Sequence, residues 1–94
     1  MLTLDEMRAY LGIDYADEFV ETNLIRLRAT AERYITNAAG EFTDLDDPIA
    51  KETALIIIDD LYNERGINDR ISGSARKLLQ SMIAQLKYSG NGGA

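Results

Sequence analysis

DPIAKETALIIIDDLYNERG, residues 47–66, carries its own start and stop signals for a helix. Pro48 suits the first helical turn, because that position needs no N–H and the ring already holds φ near its helical value. Asp47 before it caps free backbone amides, and Gly66 has the conformational freedom to end a helix in the left-handed region. Between them Ala50, Ala54, Leu55, Ile57, Ile58, Leu61 and Tyr62 cover more than half of a helical wheel at about 100° per residue. A helix that apolar needs cover from more than one side. The spacing predicts the central helix of a small bundle.

Downstream, INDRISGS is a polar connection, and Ser72 or Ser74 caps a last helix. Ala75, Leu78, Leu79, Met82, Ile83 and Leu86 form its apolar stripe; Arg76, Lys77, Gln80 and Lys87 lie on its outer face. The ending SGNGGA, residues 89–94, reads as a flexible glycine-rich tail, leaving residues 1–88 as one helical domain. Upstream, EFTDLDD is an acidic loop with Phe42 and Leu45 as its anchors. Before it a long helix runs over residues 17–39 and is ended by Gly40. Val20, Leu24, Leu27, Ala31, Tyr34, Ile35 and Ala38 share one face of it, and Ile25 stands off that stripe. Arg28 and Glu32 are spaced for a surface ion pair.

The chain opens with TLDEMRAYLG, residues 3–12, a short helix in which Thr3 and Glu6 have capping-box spacing and Gly12 is the stop. Asp14 or Asp17 caps the long second helix. No segment alternates as a strand does, and no internal repeat occurs. The expected fold is all-α: a small four-helix bundle with a long second helix and an apolar third. Leu24, Leu27, Tyr34, Ile57, Ile58, Leu61, Leu79, Met82 and Ile83 are expected in its core.

The 94 residues are 46% hydrophobic and 28% charged, which fits one globular domain and argues against disorder. No apolar run approaches the roughly 20 residues of a membrane span, and nothing resembling a signal peptide precedes the first helix. Cysteine is absent, and with it disulfide and thiolate chemistry; histidine is absent too, the commonest general base. A cytoplasmic or intracellular-assembly setting is expected. The net charge of −6 disfavours nucleic-acid binding, whose phosphate contacts need a basic footprint. Residues 1–47 carry 11 acids and 4 bases, whereas residues 48–94 carry 5 acids and 6 bases. The protein is electrically two-ended.

Catalytic arrangements fail on inspection. A calcium loop opening at Asp44 has Ile49 where glycine is required and Leu55 where a bidentate Glu is required, so Asp44, Asp46 and Asp47 read as a solvated acidic turn. Adjacent Asp59 and Asp60 diverge by about 100° on a helix and do not form an acid–base pair. Serine has no histidine to activate it, and GNGG has no helix after it to cradle a phosphate. No enzyme, metal or cofactor is expected.

The order of the pieces is informative. LTLDEMRAYLGIDYADEF, a long helix ending AERYITNAAGEF, then DPIAKETALIIIDDLYNERG and a closing LLQSMIAQLKY resemble the small head–tail connector proteins of tailed bacteriophages. These are also called head-completion, adaptor or DNA-packaging proteins. The resemblance spans residues 2–88, and its most specific parts are Leu2-Thr3-Leu4-Asp5-Glu6, Leu11-Gly12-Ile13-Asp14 and Leu61-Tyr62-Asn63-Glu64-Arg65. It implies an all-helical structural subunit forming a ring, dodecameric in the virion, beneath the portal protein. Such a ring extends the DNA channel and docks the next head-completion or tail protein. The localisation implied is the head–tail junction of the virion, with host cytoplasm during assembly. The other function that fits is a small helical protein–protein adaptor or regulator unrelated to virions.

A ring needs a heterologous contact, one face meeting a different face of the next copy. Two sets of residues are candidates for it. Acids Asp17, Glu18 and Glu21 sit opposite in charge to Arg76, Lys77 and Lys87. Ile49 and Ile56, seven apart on the polar side of the central helix with Thr53 and Asp60 beside them, form a second, narrower seam. Either that seam is covered within the subunit, by Phe42 and Leu45 or by the first helix, or it meets another copy.

Overall fold

Four helices follow in order: α1 (Leu4–Leu11), α2 (Glu18–Ala39), α3 (Pro48–Tyr62) and α4 (Gly73–Gly90). The computed structural model describes residues 2–15, 17–41, 43–63 and 71–90, apart from the side chains of Ser74 and residues 87–90. Among the described residues there is no strand, so the fold is all-α. α2 and α3 pack along each other, α4 lies against both, and α1 closes over α2 and α3.

Each helix begins where a side chain takes up the free amides of its first turn. Thr3 and Glu6 form a reciprocal capping box on α1, with hydrogen bonds of 3.0 and 3.1 Å. Asp17 accepts from the amides of Phe19 and Val20 at the start of α2, which resolves the choice between Asp14 and Asp17. Asp47 accepts from Ile49 N–H ahead of Pro48. Ser72, not Ser74, opens α4: its Oγ accepts from Ala75 N–H and its carbonyl from Arg76 N–H. At the end of α1, Gly12 has φ 74°, and Ile13 N–H reaches back to the Arg8 carbonyl at 2.9 Å. That left-handed closure is the Schellman arrangement, for which glycine has no steric penalty.

α3 ends earlier than its sequence suggests. Tyr62 is its last residue and Asn63 its C-cap, with Asn63 Nδ2 donating to the Asp59 carbonyl and carboxylate. Gly66, the expected stop, lies outside the described residues. α4 runs two residues further than expected, through Ser89 and Gly90, and residues 91–94 are outside the described residues.

The core unites one face from each helix, with Leu2 ahead of α1 joining them: Met7, then Leu24, Leu27, Ala31 and Ile35, then Ala50, Ala54, Ile57 and Ile58, then Leu79, Ile83 and Leu86. Of the nine residues expected there, Leu24, Leu27, Ile57, Ile58, Leu79 and Ile83 are buried. Tyr34, Leu61 and Met82 are only half-buried. Leu78 is a correction: it leaves the α4 stripe and is 51% exposed. It lies about 100° from Leu79 on the helix, beyond the edge of the buried arc.

α1 is too short to hold itself in place and is tied by side chains. Met7 is its fully buried anchor. Arg8 pairs with Asp5 on its own helix and with Glu21 on α2, and Glu6 meets Lys51 on α3 at 3.3 Å. Arg28 donates to the Leu2 carbonyl at 2.8 Å, instead of pairing with Glu32 as the spacing suggested.

Candidate interaction surface

Asp60 requires the clearest revision. Its place beside Ile49 and Ile56 suggested a polar border on a contact seam, yet it is 2% exposed. Both carboxylate oxygens are engaged with the start of α4, one accepting from Ser72 N–H at 2.9 Å and the other from Ser72 Oγ–H at 2.6 Å. The last full turn of α3 thus holds the capping residue of α4. Asp60 belongs to the interior and is not available to another subunit.

The rest of the seam turns inward with it. Thr53 is fully buried, its hydroxyl donating to the Ile49 carbonyl one turn back at 2.6 Å. Ile49 and Ile56 are half-buried and pack against the core, as does Leu45 from the acidic loop. Phe42, the other expected anchor of that loop, lies outside the described residues. No buried side-chain polar atom among the described residues lacks a partner. Ile49 and Ile56 thus lean on the core of their own subunit and keep part of their surface exposed.

The charged candidates divide. Asp17 is exposed but occupied as the α2 cap. Glu21 is half-buried against Arg8. Glu18 is exposed on the first turn of α2, and no other described side chain engages its carboxylate. Arg76 and Lys77 are exposed on the first turns of α4. Lys87 is on α4, with its side chain outside the described residues. Among the described residues, then, Glu18, Arg76 and Lys77 are exposed and without an intrachain ion-pair partner.

The outer face of α2 is a surface that helical spacing alone did not single out. Phe19 is 87% exposed, and Ile25 is exposed further along the same helix. Two shallow depressions run along this face, one bordered by Phe19, Thr22 and Arg26, the next by Arg26, Ala29 and Arg33. The signal for Phe19 was present: it lies about 140° around the helix from Leu24, outside the buried stripe, just as Ile25 does. A third depression, beside Asp5, Arg8 and Tyr15, has its cation already held by Asp5 and Glu21.

One carboxyl group has a displaced titration. A hydrogen bond from the Thr3 backbone, followed by the nearby Lys51 ammonium, lowers the pKa of Glu6, with partial desolvation opposing the shift. Both causes are contacts that fix α1 in place. Among the described residues no group of three His, Cys, Asp or Glu side chains is placed to hold a metal ion, and no helix is long and apolar enough to cross a membrane. No family model, curated protein or solved structure matches the chain.

Proposed function

We propose that this chain is a structural head–tail connector subunit of a tailed phage or prophage, assembling as a ring beneath the portal protein. The ring extends the DNA channel and presents a docking surface to the next head-completion or tail protein. The observation that carries this reading is the ordered resemblance across residues 2–88, with its most specific segments at 2–6, 11–14 and 61–65. The all-helical fold is compatible with it and agrees with the subunit the resemblance implies. Several resembling residues also have local structural work: Thr3 and Glu6 cap α1, Gly12 closes it, and Asn63 ends α3.

A head-to-tail contact draws on the charge split. Arg76 and Lys77 on α4 face the acidic amino-terminal half of the next copy, where Glu18 offers an unengaged carboxylate. Such pairs, on exposed side chains, guide association and register more than they add affinity.

The second reading, a helical adaptor unrelated to virions, is favoured by the exposed Phe19 and Ile25. Isolated aromatic anchors of this kind are frequent at protein contacts. Proteomics of purified particles separates the two. The connector reading expects the chain at the head–tail junction together with the portal protein; an adaptor is absent from particles and co-purifies with a non-virion partner.

A further inference from the structure

We propose that the outer face of α2 pairs with the same face of a second copy, antiparallel, about a two-fold axis near Ile25 and Arg26. The face has opposite charge at its two ends. Glu18 stands at the amino-terminal end, while Arg26 and Arg33 occupy the middle and the carboxyl-terminal end, all of them exposed. Arg26 is oriented by a 3.1 Å hydrogen bond to Asn23, and Glu18 and Arg33 have no ion-pair partner among the described residues. A surface that is acidic at one end and basic at the other complements itself only when one copy is reversed. The opposed helix dipoles favour the same direction.

The shape agrees with the charges. Thr22 and Ala29, both small and exposed, lie seven residues apart along the middle of the face and permit close approach of two helices. With Thr22 of one copy opposite Ala29 of the other, Glu18 falls opposite Arg33, and the pair occurs twice. Phe19 then covers the depression beside Thr30 and Arg33, where the guanidinium and its apolar stem suit an aromatic face. Ile25 approaches Ile25 of the second copy beside the axis. This contact is isologous and closes on two copies. It differs from the head-to-tail contact of a ring, does not rest on the connector reading, and competes with that contact for the Glu18 carboxylate.

The contact spans about 24 Å of helix, a small interface, so the dimer is weak and its population depends on concentration and salt. Sedimentation equilibrium of the full chain at low salt, from about 10 µM to about 1 mM, covers the affinity range expected of such a contact. The expected result is a monomer–dimer equilibrium that Phe19→Ser, Glu18→Arg and Arg33→Glu each weaken at least about tenfold, equivalent to about 1.4 kcal/mol, with the helical circular-dichroism signal retained. Mixing Glu18→Arg with Arg33→Glu restores dimers, because in the same register one copy then presents arginine and the other glutamate at both contacts. A wild-type chain that stays monomeric throughout overturns the proposal. So does self-association that the three variants leave unchanged, or a mixture that associates no better than its components.

Discussion

Asp60 lies near the end of α3 and uses both carboxylate oxygens to hold Ser72, which in turn caps α4. Replacing it with alanine removes two hydrogen bonds to a charged acceptor and leaves the Ser72 donors to find other partners. The expected loss is about 1.5–3 kcal/mol in a urea titration. A loss below about 0.5 kcal/mol, the ordinary range for surface changes, contradicts the interior role given to Asp60. Ile57 is fully buried, and Ile57→Ala is expected to cost about 2–5 kcal/mol by the same measurement. Glu6 adds a pH dependence. Its folded pKa is depressed, so its contribution is present above the unfolded value of about 4.3 and is lost as pH falls through the folded pKa. The stability advantage of the wild type over Glu6→Gln is therefore expected near neutrality and vanishes below that range. An advantage that persists unchanged in acid contradicts the charged role of Glu6.

Helices were legible where local chemistry determines them. The Thr3/Glu6 box, the Asp47-Pro48 start and the 3–4 spacing of α2 all act within a turn or two of sequence, so spacing alone revealed them. What spacing could not reveal was which neighbour covers which face. Asp60 reads as polar border because its partner, Ser72, lies 12 residues away across a connection. Ile49 and Ile56 looked like a second seam for the same reason: the wheel gives their direction but not what lies there. Their partial burial against the core sets the expectation for Ile56→Asp. A charge set against the core should destabilise the monomer, and thermal melts should show a lowered midpoint or no folded baseline. A variant that melts like the wild type would place Ile56 at the surface after all. Ile25 shows the converse, since the wheel already set it off the buried stripe, whereas Phe19 went unremarked until its 87% exposure drew it out. At α4 the expectation concerns charge. On the connector reading, Lys77→Glu should reduce the proposed ring assembly and flatten its salt dependence, read by light scattering against salt concentration. Unaltered assembly counts against that face as the head-to-tail contact.

Among the described residues every buried side-chain polar atom has a partner, which leaves the unengaged charges at the surface. The acidic amino-terminal half and the exposed bases of α4 give that surface a direction, which suits heterologous association of identical copies. Function was less legible than fold, because the assembly role proposed for it would leave no catalytic signature and its partners would lie outside the chain. Whether this chain forms a ring at a head–tail junction is decided by native mass spectrometry of junction complexes released from purified particles. The predicted result is one complex holding many identical copies of this chain together with the portal protein. Particles whose junctions contain the portal protein and lack this chain would contradict that assignment.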